Sequence, residues 1–347
     1  MSDIDIRKDG RAGRITLTRP KALNAMSYKM CLAIEDALDA WAVDDDVKLV
    51  IIDAEGDKAF CAGGDIAELY ETGKAGDFEH GRRFWRDEYR LNAKIADYPK
   101  PYIALMQGFT MGGGVGIGCH GSARIVCESS QIAMPECGIG LVPDVGGSLL
   151  LARAPGRVGE YLGSTAARMG PTDAIFAGFA DAYVPHSKWP ELIAALCETG
   201  ETSRLEEFFE TAPQGELQGL LPRIDAHFGG ETLRDILNSL RIEDSGFADE
   251  SLRVMARNSP LSMACTVEMI HRNRGPGANI RRALDLEYRF TYRAMTEGDL
   301  LEGIRAAVID KDRAPRWQHG LDDPPALAAT QMLMPLGDDG LTFEREE

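Results

Sequence analysis

The stretch from Met111 to Gly147 constrains this chain more than any other. It opens with Met111-Gly112-Gly113-Gly114-Val115-Gly116, which has almost no side chain but a row of backbone N–H donors. It closes on a loop rich in glycine and proline that carries two carboxylates, Glu136 and Asp144, eight residues apart. Donors that polarise a carbonyl, followed by carboxylates that direct an attack on it, make an acyl-transfer site.

The rest of the chain supplies the frame. Residues 14–18 alternate and end at Arg19-Pro20, which predicts a strand and a turn. Ser27 stands where an N-cap belongs, ahead of Met30, Ala33, Ile34, Ala37, Leu38 and Trp41 at helical spacing. Residues 47–53 form an apolar, β-branched run of strand length. Strand, helix, strand implies a crossover unit and an α/β class. Gly63 and Gly64 then precede a helix start at Ile66, with Asp65 in capping position. This is either a plain loop-to-helix turn or a place for developing negative charge. Residues 77–97 read as a polar helix and 102–106 as a strand that runs to the glycine triplet. Two strand–glycine–helix junctions therefore occur, and two such junctions can aim two N–H groups at one oxygen. Short strands are expected at 123–127, 131–134 and 181–184, with a helix from about Gly146. From about residue 201 the pattern is helical, and the tail after Gly320 is expected to wrap the surface.

Composition narrows the function. The 347 residues carry a formal charge of -17, which argues against nucleic acid or an anionic membrane as partner. Seven cysteines without a C-x-x-C pair fit reduced thiols, and six scattered histidines give no metal spacing. The acidic start, residues 1–6, lacks the features of a signal or transit peptide, so a cytoplasmic location is expected. Cys61, Cys119, Cys127 and Cys137 lie near the motifs and are expected to be small core residues.

Phe60-Cys61-Ala62-Gly63-Gly64-Asp65-Ile66, Gly112-Gly113-Gly114 and Met134-Pro135-Glu136, in this order and at these spacings, resemble the crotonase (enoyl-CoA hydratase/isomerase) superfamily. The resemblance implies a ββα spiral core over 1–200, with a helical C-terminal region and tail over 201–347. Residues 84–89, 111–116, 139–147 and 302–312 are most similar to the 3-hydroxyisobutyryl-CoA hydrolases of that superfamily. They imply hydrolysis of 3-hydroxyisobutyryl-CoA to 3-hydroxyisobutyrate and free CoA, a step of valine catabolism. Carried over by motif, Gly64 and Gly113 supply oxyanion N–H groups, Glu136 is the principal catalytic carboxylate and Asp144 its partner. Glu88 and Gly113 bind the acyl part, while Lys21, Ala22 and Leu23 with Ala62, Asp65 and Ile66 hold the nucleotide end of CoA. No cofactor is implied beyond the CoA carried by the acyl-CoA substrate, and self-association is open.

Hydratases of the superfamily use two glutamates, one of them two residues after the glycine triplet. That position here is Gly116, whereas Asp144 stands where hydratases have a small residue. The pattern therefore favours thioester hydrolysis over hydration. Hydratase or isomerase activity, hydrolysis of another short acyl-CoA, and non-catalytic CoA binding are the competing readings. Structural roles compete as well: Glu136 as a loop brace, Asp144 as an N-cap, Glu88 as a solvated helix residue.

Overall fold

The computed structural model describes residues 3–345. The expectation placed on the N-terminal segment falls in part on Met1 and Ser2, which lie outside the described residues. The chain forms two compact units, each assembled from three segments. One comprises the segments Met1–Gly64, Arg90–Ala133 and Arg168–Gln218; the other comprises Asp65–Tyr89, Met134–Ala167 and Gly219–Glu347.

Among its described residues the first unit holds nine strands: β1 (Ile4–Asp9), β2 (Ala12–Leu17), β3 (Leu49–Ala54), β4 (Ala59–Cys61), β5 (Tyr102–Met106), β6 (Phe109–Met111), β7 (Ala123–Val126), β8 (Gln131–Ala133) and β9 (Ala182–Tyr183). They make a six-stranded sheet in the order β1-β2-β3-β5-β7-β9 and a three-stranded sheet in the order β4-β6-β8. Of these pairings, only the β1–β2 hairpin is antiparallel. Consecutive pairs of strands (β3 and β4, β5 and β6, β7 and β8) each give one strand to each sheet, which is the expected ββα spiral.

Burial on both faces explains why β3 and β5 are apolar runs rather than alternating ones. One face packs Leu49, Ile51, Ile103, Leu105 and Ile125 against Trp189, Leu192 and Leu196 of the helix Trp189–Thr199. The helix Tyr28–Ala42 starts where the sequence placed it, with the Ser27 hydroxyl accepting from the Met30 N–H.

The second unit is helical. Its core is built by the helices Gly147–Arg153, Val158–Thr165 and Pro260–Arg272, which pack on one another, and by Ile280–Ala294. Residues Ala326–Met332 form a helix that docks on Pro260–Arg272, burying Ala329, Met332 and Leu333. A helix of seven residues is too short for its period to stand out in the sequence.

Candidate active site

β4 and β6 are parallel neighbours, so the loops that leave their C-terminal ends emerge side by side in the first unit. Gly63 and Gly64 lie in one loop, while Gly112 lies in the other and leads directly into the helix that Gly113 begins. A Cβ on Gly114 would come within 2.2 Å of the Cys61 carbonyl oxygen, so the approach of the two loops requires glycine there. Gly113 is the first residue of the helix Gly113–Gly118, and its N–H has no intrahelical acceptor. Both oxyanion glycines inferred from the sequence are thus on neighbouring strand ends.

The segment assigned to the CoA nucleotide is tied to the same loop. Leu23 takes a left-handed conformation after the 3-10 turn Pro20–Ala22, and its carbonyl accepts from the Ala62 N–H at 3.1 Å. The Met26 N–H donates to the Gly63 carbonyl at 2.8 Å. Lys21 and Ala22 are exposed beside half-buried Leu23 and Ala62. Asp65 and Ile66 open the second unit at the start of the helix Ile66–Lys74. Asp65 occupies the N-cap position, but its side chain makes no capping hydrogen bond. Its ψ of 86° departs from the extended geometry that lets Ser27, at ψ 160°, reach back to its helix.

The carboxyl groups gather in the second unit. Glu136 begins a 3-10 turn, Glu136–Ile139, rather than sitting in open loop. Asp144 is not an N-cap: the helix Gly147–Arg153 is preceded by Gly146, and the Asp144 carboxyl instead accepts from the Tyr89 hydroxyl at 2.7 Å. Glu88 is no solvated helix residue, being 4% exposed, as are Glu136 and Asp144. Glu287, fully buried on the helix Ile280–Ala294, joins them.

Burial raises the proton affinity of each of these carboxyls, and their mutual repulsion adds to it. Glu88 and Glu136 are held well above the ordinary glutamate range, by desolvation first and by the charge of Asp144 second. Asp144 is also raised by burial, but the Tyr89 hydroxyl opposes the shift. It therefore ionises before Glu136, and different environments split a carboxyl pair into a charged and a protonated member. One Glu136 oxygen, Oε2, is buried without a hydrogen-bond partner among the described residues. Among the described residues no group of three or more His, Cys, Asp or Glu side chains is placed to hold a metal ion. The cysteines are all buried, and burial pushes the Cys137 thiol up to about 12, so it is not poised as a nucleophile.

Sequence reasoning missed Tyr89, Ser148 and Glu287. The signal for Glu287 was present: with Ile280, Ala283, Leu284, Thr291 and Ala294 it shares the buried stripe of its helix at three- and four-residue spacing. An acidic residue on an apolar stripe marks a buried carboxyl.

Comparisons with known proteins show the family. The enoyl-CoA hydratase/isomerase family model matches residues 12–325. The mitochondrial 3-hydroxyisobutyryl-CoA hydrolase of Gallus gallus is 36% identical over 98% of this chain and 91% of its own. That of Rattus norvegicus is 39% identical over 91% of this chain and 84% of its own. Among solved structures, an enoyl-CoA hydratase from Rhodobacter sphaeroides 2.4.1 superposes with a TM-score of 0.93 at 57% identity, covering 98% of this chain and all of its own. A carnitinyl-CoA dehydratase from Mycobacterium thermoresistibile gives 0.94 at 39% identity, with both chains fully covered. On these matches and this fold, the chain belongs to the enoyl-CoA hydratase/isomerase family.

Proposed function

We propose that the protein hydrolyses 3-hydroxyisobutyryl-CoA to 3-hydroxyisobutyrate and free CoA. The buried, unpartnered Oε2 of Glu136 beside the more acidic Asp144 carries this reading. A carboxyl oxygen held dry without a donor is placed for a reacting group rather than for the fold. Relatives named 3-hydroxyisobutyryl-CoA hydrolase over most of both chains supply the substrate.

In the proposed reaction the N–H groups of Gly64 and Gly113 receive the thioester oxygen. Each such donor is worth about 3–4 kcal/mol to the tetrahedral intermediate. Water attacks the carbonyl carbon as Glu136 takes its proton, or the Glu136 carboxylate attacks and water then opens the mixed anhydride. The C–S bond breaks, and the proton passes to the CoA thiolate with Asp144 assisting. Since Asp144 ionises first, Glu136 works only after its proton has been released or passed on. Glu88 contacts the acyl part, and Lys21, Ala22, Leu23, Ala62, Asp65 and Ile66 hold the nucleotide end. No cofactor is needed beyond the CoA of the substrate. A cytoplasmic setting without nucleic-acid or membrane partners is the counterpart proposal, although the named hydrolase relatives are labelled mitochondrial.

Hydration of an enoyl-CoA is the second reading, favoured by the 57% identical solved structure, which bears the name enoyl-CoA hydratase. Gly116, buried and without a side chain, speaks against it, because a second glutamate is missing from the hydratase arrangement. Purified protein given (S)-3-hydroxyisobutyryl-CoA is expected to release CoA, read with a thiol reagent. Faster hydration of crotonyl-CoA than CoA release would overturn the assignment.

A further inference from the structure

Directly after Asp144 the backbone takes a costly path. Val145 has φ 52° and Gly146 has φ 80°, so a β-branched residue sits in the left-handed region one position from the carboxylate. Such a conformation persists only where its surroundings over-determine it. Part of the hold is local, from the Gly147 N–H to the Asp144 carbonyl at 2.6 Å. A further hold comes from Glu287, far along the chain. Its Oε2 accepts from the Gly146 N–H at 2.8 Å, and its Oε1 accepts from the Ser148 N–H at 3.1 Å and from the Ser148 hydroxyl. Ser148 is itself fixed by the Asn273 amide, which donates to its hydroxyl at 2.9 Å.

We propose that Glu287 is a positioning residue for the reaction: its carboxyl holds the backbone at Gly146 and Ser148, directly after the strained Val145, and so sets where the Asp144 carboxyl meets the Tyr89 hydroxyl. The proposal rests on the reading of Glu136 and Asp144 as the working pair. Glu287 never touches the substrate and acts through the turn. It also acts through its charge. The groups facing it are Gly146 and Ser148 by hydrogen bonds, with Asn273 behind the Ser148 hydroxyl and Asp144, Glu136 and Tyr89 within electrostatic reach. Burial lifts Glu287 to about 8, the Ser148 and Gly146 donors oppose that lift, and Asp144 adds to it. Above that pH the clamp carries a negative charge that raises the proton affinity of Glu136 and so delays its ionisation.

The experiment measures kcat and KM for CoA release against pH in the wild type, Glu287→Gln and Ser148→Ala. Glu287→Gln is expected to lower kcat at pH 7 by about tenfold or more while KM changes by less than about threefold. It should also move the rise in rate that accompanies Glu136 ionisation to lower pH, because the charge of the clamp is gone. Ser148→Ala removes a donor that favours the Glu287 carboxylate, so the clamp charges later and the same inflection should move to lower pH by less. A Glu287→Gln enzyme that keeps the wild-type inflection, with or without loss of kcat, overturns the proposal. If that variant does not fold, an unmoved inflection in Ser148→Ala overturns it instead. Full CoA release by Glu136→Gln would sink the underlying reading, whatever Glu287 does. An inactive Glu136→Gln beside a wild-type-like Glu287→Gln would sink only the positioning role.

Discussion

The Tyr89 hydroxyl donates to Oδ2 of Asp144 at 2.7 Å, and the two side chains are almost fully buried. The next residue back along the same helix, Glu88, is pushed up by burial and by the Asp144 charge. One helix therefore presents a group that steadies Asp144 as an anion and a group that competes with it.

Replacing Tyr89 with Phe should make Asp144 harder to ionise. The hydrogen bond favours the charged form, so its loss raises the Asp144 proton affinity further. The acidic limb of the rate profile then moves to higher pH, and kcat at pH 7 falls by about tenfold, the worth of one hydrogen bond to a charged group. A pH–rate profile of CoA release checks both. An unmoved limb would detach Tyr89 from the chemistry.

Glu136→Gln should be inactive yet more stable at alkaline pH. Burial first, and the Asp144 charge second, hold Glu136 well above its usual range. The folded protein keeps a proton that the unfolded chain has already released. Stability is thus lost as pH rises from the unfolded carboxyl value of about 4.3 through the raised folded value. Gln cannot ionise and escapes this loss. Thermal unfolding at pH 8 should favour the variant, with the gap closing towards pH 4. CoA release should drop by about 10²–10⁴-fold.

Much of this was legible in the sequence because local signals and tertiary demands agree. The β3 run could be nothing but a buried strand, and the Ser27 cap is a side-chain bond made within three residues. The glycine junctions were readable because close backbone approach removes side chains from the sequence itself. Asp144 and Glu287 show the limit. Whether Asp144 caps a helix or meets a tyrosine depends on Tyr89, which lies 55 positions earlier in the chain. Glu287 reaches back 141 residues to Gly146, and no local pattern specifies a partner at that range. The two units show it too, since each is assembled from three separated stretches of chain.

Gly114→Ala probes the loop junction. The new Cβ would lie 2.2 Å from the Cys61 carbonyl oxygen and 3.0 Å from its carbonyl carbon, a backbone group that cannot rotate away. The loops after β4 and β6 must part, and Gly113, one residue earlier, moves with them. Overpacking of this kind costs about 1–3 kcal/mol. A displaced oxyanion donor costs about 10²-fold in kcat. A denaturant melt and CoA release measured on the same sample separate the two effects, and normal turnover in a destabilised variant would show that the Gly113 N–H is not used.

In the first unit Glu35, 1% exposed, takes a paired grip from Arg90, with Nε donating to Oε1 at 2.8 Å and Nη2 to Oε2 at 2.6 Å, while Lys94 approaches Oε1 at 3.0 Å. Burial pushes the Glu35 proton affinity up, but the Arg90 and Lys94 hydrogen bonds outweigh it and hold the carboxyl below its usual range. The stability this supplies is present above the unfolded carboxyl value and is lost as pH falls through the lower folded value. Arg90→Met strands a buried charge with Lys94 alone and should cost about 3–5 kcal/mol at pH 7. Adding Glu35→Met removes the stranded charge, and the double variant should regain most of that loss. Urea melts of the three proteins at pH 7 and near pH 3 decide it: the single variant's deficit must shrink at the lower pH, because there the wild type has lost the same pairing.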